Sequence, residues 1–160
     1  MLAVADGRRV VLEVKKPPPG PAAETRTALA VAGQLRSLER AGLPMDVVVS
    51  SFSPTLVTAV RELLPRGTGV RTALLGRALD RATSILRQAL DAGHDEIHPN
   101  VLPLLAEPSV VAQAHALGVG VVPWTVNRRR DVRRLHRLGV DGLITDVPVA
   151  VRAAVAGAVA

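Results

Sequence analysis

A short apolar run near the start of the chain ends in two side chains of opposite charge. If residues 10–15 form a strand, its side chains alternate with a period of two, so Val11, Glu13 and Lys15 share one face. The opposite face is wholly apolar. An inward carboxylate at such a position needs a metal ion or another cation, whereas an exposed pair of this kind simply neutralises itself. The spacing alone leaves both interpretations open.

The elements around this pair follow a repeating pattern. Short Val/Ile/Leu runs alternate with longer Ala/Leu/Arg segments, with Pro and Gly between them, which is typical of βα units. Strands are predicted at residues 10–15, 46–51, 70–75, 96–98, 120–125 and 140–145, and helices at 22–41, 55–64, 79–92, 108–117, 129–138 and 148–155. Ser53 is predicted to cap the second helix, with Pro54 at its first position, and Asp146 to cap the last.

Six consecutive βα units predict an α/β fold that is a barrel rather than an open doubly wound sheet. The 160 residues are 48% hydrophobic and contain no long polar or low-complexity segment, so residues 1–160 are predicted to form a single domain. If the apolar face of the first strand packs under helices, Glu13 and Lys15 point into the barrel near the carboxyl end of that strand. Active sites of barrels are assembled at this end.

Composition excludes several classes of function. The chain has no cysteine, which removes disulfides, thiolate metal sites and cysteine nucleophiles. No uninterrupted apolar run approaches the roughly 18 residues of a membrane span, so no integral membrane segment is predicted. The first residues reverse the order of charged and apolar regions in an export signal, and a cytoplasmic location is predicted.

The four histidines offer one alternative metal site. His94, Asp95, Glu96 and His98 superficially suggest a metal-binding group, but His94 and His98 would lie about 13 Å apart along an extended chain at roughly 3.3 Å per residue, too far for one ion. His98, at the end of the fourth predicted strand, is placed facing the mouth of the barrel. His94, His115 and His136 are interpreted as surface residues.

Five short motifs in a fixed order resemble the glycerophosphodiester phosphodiesterase family. They are LEVK at residues 12–15, SFS at 51–53, HPN at 98–100, PWTVN at 123–127, and GVDGLITD at 139–146 followed by Pro148. The last two are the most specific, and the similarity runs from about residue 12 to the C-terminus. The resemblance implies a TIM-type (β/α) barrel, here incomplete, with about six of eight βα units.

The same resemblance implies an activity and a set of site residues. Family members hydrolyse glycerophosphodiesters to glycerol 3-phosphate and an alcohol, using a divalent cation, commonly calcium or magnesium. Glu13 would be a carboxylate ligand of that cation, and Lys15 would contact the phosphate as a point charge. Trp124 would wall the mouth of the pocket, and Phe52 would line it.

The family pattern also contains, before the LEVK strand, an HRG segment, an acidic pair that ligates the metal, and an HD segment. None of these precedes Val10 in this sequence, so no catalytic residue is assigned. Without the acid/base histidines the isolated chain is predicted to be inactive or impaired, and a metal held by Glu13 alone would bind weakly. A barrel lacking two units leaves two sheet edges open, which predicts self-association.

Two other classes of function remain as alternatives. The first is a non-catalytic remnant that binds a phosphorylated ligand or a partner chain. The second is a nucleic-acid-binding module, suggested by the arginines at 128–130 and 133–134 and a net charge of +6. Aromatic residues make up only 1% of the chain, so base stacking has little to use, and a solvated helix face is the favoured interpretation. No nucleic-acid partner is therefore predicted.

Overall fold

The computed structural model describes residues 9–20, 22–42, 46–65 and 67–159. Its sheet has five strands in the order β1-β2-β3-β4-β5, and every neighbouring pair is parallel. The strands are β1 (Val10–Glu13), β2 (Val47–Ser51), β3 (Val70–Leu75), β4 (Glu96–His98) and β5 (Gly120–Val121). The helices are α1 (Ala23–Arg40), α2 (Pro54–Leu63), α3 (Ala82–Ala92), α4 (Val101–Ala106), α5 (Ser109–Ala116), α6 (Arg129–Leu138) and α7 (Pro148–Val159).

The register of the sheet places one residue from each strand in a single row. Glu13 pairs with Ser50, Ser50 with Ala73, Ala73 with Glu96, and Glu96 with Gly120. Because side chains alternate along a strand, all five residues lie on the same face of the sheet, here called the inner face. The pairing alone therefore fixes which residues can surround a ligand inside the curved sheet.

The outer face of the sheet packs against the helices in two apolar clusters. The first joins β1 and β2 to α1 and α2 and contains Val14, Ala28, Leu35, Val47, Val49, Leu56 and Val60. The second is larger and contains Leu74 of β3, Ile97 of β4 and residues of α3, α5 and α6. Aliphatic side chains on buried parallel strands supply this core, as a chain with almost no aromatics requires.

Helix α2 begins as its sequence predicts. The Ser53 side chain accepts a hydrogen bond from the backbone N–H of Leu56 at 3.3 Å, and Pro54 is the first helical residue. The hydroxyl satisfies one of the N–H groups that have no partner within the helix, and proline loses nothing at a position where its missing N–H is not needed. The predicted cap is confirmed.

The sixth predicted strand, residues 140–145, is not a strand, and β5 ends at Val121 instead of residue 125. The segment still runs beside β5, because the N–H of Asp141 donates to Val121 O at 3.0 Å and that of Ile144 donates to Pro123 O at 3.0 Å. Pro123 has no N–H to return a bond, so a regular ladder cannot form there. The Asp141 side chain instead accepts the N–H of Val121 at 2.7 Å.

Two helices differ from prediction. Helix α3 begins at Ala82, not at residue 79, because residues 77–80 form a turn in which the Asp80 carboxylate accepts the N–H of Arg77 at 2.6 Å. Helix α4 was not predicted, since Pro103 interrupts its sequence. Proline at the third position of a helix is tolerated, because the N–H groups of the first turn have no helical acceptor.

Five consecutive parallel strands, each followed by a helix, make an incomplete TIM-type barrel of the α/β class, as predicted. In the described ranges, no helix has the length and apolar character needed to cross a membrane.

Candidate active site

The carboxyl ends of the strands meet at one rim of the sheet, and the predicted site residues lie there. Lys15 and Phe52 each follow by two residues the paired Glu13 and Ser50, so they extend the inner face at the ends of β1 and β2. Trp124 lies beyond β5 and forms an isolated parallel bridge with Asn100. The strand order therefore brings Lys15 and Trp124, which are 109 positions apart in sequence, to one rim, where barrel enzymes place their active sites.

Glu13 and Lys15 form an ion pair on this rim. The ammonium of Lys15 donates to Oε1 of Glu13 at 2.5 Å, and their side chains are 77% and 34% exposed for Lys15 and Glu13. Leu12 and Val14, on the other face of the same strand, join the apolar cluster under α1 and α2. The pair therefore lies on the inner face, and its two charges neutralise each other there.

The described residues do not form a complete site for a divalent cation. A calcium ion takes six to eight oxygen ligands, and magnesium takes six. Glu13 offers two oxygens, one of which faces the Lys15 ammonium, and no group of three or more His, Cys, Asp or Glu side chains in the described ranges could hold a metal ion. Glu13 can supply one ligand of such a site, and the remaining ligands are not among these residues.

Phe52 and Trp124 meet at the mouth. Their ring centroids are 5.3 Å apart at an interplanar angle of 79°, an edge-to-face arrangement that aromatic rings prefer. The indole N–H of Trp124 donates to the backbone carbonyls of Gly76 at 3.1 Å and His98 at 3.0 Å. The ends of β3 and β4 therefore hold the indole in place, and Phe52 and Trp124, here called the aromatic wall, pack against each other.

A charged network that the sequence did not reveal crosses the inner face. Glu96 is buried, and its Oε2 lies 3.1 Å from Nε2 of His98 while its Oε1 accepts from Arg71 at 2.7 Å. Arg71 also donates to Asp46 at 2.6 Å. Burial alone would raise the pKa of Glu96, but the hydrogen bond from His98 and the charges of His98, Arg71 and Arg9 outweigh it and lower that pKa.

The prediction that His98 faces the mouth is therefore wrong. It is fully buried, and its Nδ1 has no hydrogen-bond partner among the described residues. The signal that could have found its partner is the period of a strand, because Glu96 and His98 are two residues apart and must share a face. The burial of His98 behind the rim depends on the neighbouring strands, and it could not be derived from the spacing of Glu96 and His98.

The surface assignment of His94 is wrong. The side chain is only 4% exposed, with Nδ1 3.0 Å from the Thr72 hydroxyl and Nε2 3.3 Å from that of Thr58. Burial, and next the charge of Arg61, lowers the pKa of His94 to about 4, against a smaller raising effect of Asp95. His94 lies at the amino end of β4, whereas the rim is at the carboxyl end.

Asn127, the last residue of the PWTVN motif, ties the rim to the segment beside β5. Its Oδ1 accepts from the Thr145 hydroxyl at 2.9 Å and from the Asp146 N–H at 3.0 Å, and its Nδ2 donates to the Asp146 carboxylate at 2.8 Å. Asp146 was predicted to cap α7, but its carboxylate binds this amide instead. Two motifs that stand 19 residues apart are thus one hydrogen-bonded unit.

Replacement of Asn127 by alanine removes three hydrogen bonds that join these two segments. Because the bonds are exposed, we expect a loss of only about 1–2 kcal/mol in the free energy of unfolding, measured by urea denaturation. Asn127→Asp keeps the acceptor but sets two carboxylates against each other, so it should cost at least as much at neutral pH. A loss for either variant below about 0.3 kcal/mol would contradict this role of the amide.

Comparison with known proteins agrees with this geometry. The family model described as the glycerophosphoryl diester phosphodiesterase family matches residues 3–150. A glycerophosphodiester phosphodiesterase of Caldanaerobacter subterraneus is 27% identical over 114 residues, which cover 71% of this chain and 44% of that protein.

Solved structures show the same fold. A glycerophosphodiester phosphodiesterase from Parabacteroides distasonis superimposes with a TM-score of 0.78 at 18% identity, covering 95% of this chain and 59% of that one. A phosphodiesterase from Oleispira antarctica, solved in complex with the product sn-glycerol-3-phosphate, gives a TM-score of 0.71 at 19% identity over 93% of this chain and 56% of that one.

The chain spans about half the length of the relatives it matches, 44% of the first protein and 59% and 56% of the two solved chains. Within that span, the family match covers the strand of Glu13 and Lys15, the aromatic wall and the unit held by Asn127. The chain belongs to the glycerophosphoryl diester phosphodiesterase family.

Proposed function

We propose that the protein takes part in the metal-dependent hydrolysis of glycerophosphodiesters to glycerol 3-phosphate and an alcohol. The observation that carries this proposal is the position of the Glu13–Lys15 pair on the inner face, at the rim where Phe52 and Trp124 form a wall. Membership of the family supports it, as does the product sn-glycerol-3-phosphate bound to the similarly folded Oleispira phosphodiesterase.

Each rim residue has a role in this proposal. Lys15, whose ammonium is largely exposed, binds the phosphoryl group as a point charge. Glu13 supplies one ligand of a divalent cation, calcium or magnesium, which offsets negative charge on the phosphoryl oxygens when it is bound. Trp124 and Phe52 give the glycerol or the leaving alcohol an apolar surface.

Proton transfer is the part of the reaction to which we assign none of the described residues. Hydrolysis needs a base to take a proton from water and an acid to protonate the leaving alcohol. The only His-Asp dipeptide is His94-Asp95, and His94 is buried between Thr58 and Thr72 at the far end of β4. We therefore propose that the isolated chain is inactive or strongly impaired, and that a metal bound by Glu13 alone is weakly held.

A direct assay tests this division of roles. The purified chain is incubated with glycerophosphocholine or with glycerophosphoglycerol, in calcium or magnesium, and glycerol 3-phosphate release is measured beside the Glu13→Ala variant. We expect no turnover above that of the variant, while circular dichroism shows both proteins folded. Metal-dependent turnover that is lost in Glu13→Ala would show that other residues replace the missing acid and base.

Binding provides the positive counterpart of that assay. We expect glycerol 3-phosphate to bind the chain and Lys15→Gln to weaken binding about 3–10-fold, since one exposed charge contributes roughly 1 kcal/mol. The measurement is calorimetric titration. Lys16→Gln is the matched control, because the Lys16 ammonium lies 3.5 Å from Glu24 and not beside Glu13. Equal weakening by both variants would contradict a specific role for Lys15.

A non-catalytic binding domain is the second candidate function. It is favoured by the direct pairing of Glu13 with Lys15, and by the fact that the described residues contain no group of three or more His, Cys, Asp or Glu side chains that could hold a metal ion. This candidate predicts binding of glycerol 3-phosphate that does not change when calcium or magnesium is added. A metal-dependent gain in affinity, lost in Glu13→Ala, would instead favour the hydrolytic site.

A further inference from the structure

Arg77, in the turn that follows β3, places its guanidinium at the aromatic wall. Its guanidinium carbon lies 5.5 Å from the centre of the Phe52 ring. The guanidinium makes no hydrogen bond or ion pair with any residue of the described ranges, although the backbone N–H of Arg77 is fixed by Asp80 at 2.6 Å. The loop is therefore held by its backbone, and the charge is left facing the mouth.

An edge-to-face pair of aromatic rings is by itself suited to a quaternary ammonium group. Such groups bind over ring faces within about 6 Å of the centroid, through the attraction between a cation and the ring's electrons. Phe52 and Trp124 present two ring surfaces at 79° to each other, which would suit choline. Arg77 already occupies the face of Phe52, so it blocks that position and repels a second cation.

Two carboxylates of this region, those of Glu13 and Asp80, have partners other than the Arg77 guanidinium. Glu13, the carboxylate of the same rim, is paired with Lys15, and Asp80 is engaged with the backbone of the turn. A ligand reaching Phe52 and Trp124 therefore meets a guanidinium that has no ion-pair partner among the described residues. Phosphodiesters whose alcohol is uncharged or anionic gain from that charge, and those with an ammonium group lose.

We infer that Arg77 determines specificity at the mouth: it selects against glycerophosphodiesters with a cationic ammonium head group and favours those with an uncharged polyol or anionic one. The inference rests on the proposed function, because it assumes that a glycerophosphodiester occupies this rim. Arg77 contacts the head group in this arrangement and has no part in cleaving the phosphodiester.

The intrinsic fluorescence of the protein reports on the surroundings of Trp124, because Trp124 is the only tryptophan and the chain has no tyrosine. The chain is titrated with glycerophosphoglycerol and with glycerophosphocholine, following tryptophan emission and, in parallel, heat of binding. We expect glycerophosphoglycerol to bind about 5–10-fold more tightly. In Arg77→Gln the ratio of the two affinities should fall to about one or below, mainly because glycerophosphocholine binds more tightly.

Arg81→Gln is the matched control. Arg81 lies four residues further on, and its guanidinium is paired with Glu107 at 2.6 Å, so its loss changes the net charge equally without touching the aromatic wall. In Arg81→Gln the ratio of the affinities for the two ligands should be the same as in the unaltered chain. Equal binding of both ligands by the unaltered chain, or a ratio that Arg77→Gln leaves unchanged, would overturn this inference alone. Absence of both heat and emission change with every ligand would overturn the proposed function and the inference with it.

Discussion

Removal of the Arg71 side chain should destabilise the protein by about 2–3 kcal/mol. In Arg71→Ala, the buried carboxylate of Glu96 loses the guanidinium that donates to it at 2.7 Å, and Asp46 loses a bond of 2.6 Å. A buried charge without its partner is costly because the interior solvates it poorly. The value lies below that for a fully buried pair, since the Arg71 side chain is 32% exposed. Urea denaturation at pH 7 measures the loss.

Arg9→Ala is the matched control for this effect. Arg9 also carries one positive charge toward Glu96 and Asp46, but at 3.8 Å and 3.4 Å and with a side chain 45% exposed. Its removal should therefore cost less than about 0.5 kcal/mol. Equal losses for the two variants would show that the network acts only through long-range charge, and not through the buried bond between Arg71 and Glu96.

Mild acid should destabilise the protein through His94. Its pKa is about 4 in the folded chain and 6.5 for an unperturbed histidine, so the unfolded chain binds the proton first as the pH falls. The contribution of neutral His94 to stability is fully present above pH 6.5 and is lost as the pH falls from there toward 4. Between pH 7 and pH 5 this one group should cost about 2 kcal/mol.

His94→Gln isolates that contribution, because glutamine does not titrate and can still bond to Thr72 or Thr58. The free energy of unfolding is measured by urea denaturation at pH 7, 6 and 5 in both proteins. The other acidic groups and histidines are present in both proteins, so any difference in how the free energy of unfolding changes with pH is due to His94. Parallel curves for the two proteins would contradict a buried, neutral His94.

The sequence predicted those features that depend on local chemistry. Ser53 before Pro54 marks a helix start wherever it occurs, and the alternation of apolar and charged residues in β1 assigned Glu13 to the inner face and Leu12 to the core. These assignments need only the period of a strand and the bonding needs of a helix terminus. The strand period and the helix terminus depend only on residues close together in sequence, so both can be predicted without knowledge of the fold.

Features that depend on distant residues were missed. His94 follows a glycine and precedes an acid, which suggests a loop, and only the approach of Thr58 from α2 and Thr72 from β3 makes its position buried. The partners of Glu96 likewise come from other segments, Arg71 from β3 and Arg9 from the position just before β1. The interaction of Arg77 with Phe52 joins two loops 25 residues apart and leaves no periodic signal.

Every strand of the sheet is hydrogen-bonded to the strand that precedes it along the chain, with no crossover that skips a neighbour. Such a sheet can grow one βα unit at a time, because each new strand needs only the edge left by the previous one. Duplication, loss or exchange of a unit at an edge would then leave the pairing of the others unchanged. In evolutionary terms, the wall of Phe52 and Trp124 and the charges around it can be inherited as a block, independently of the units that complete the barrel.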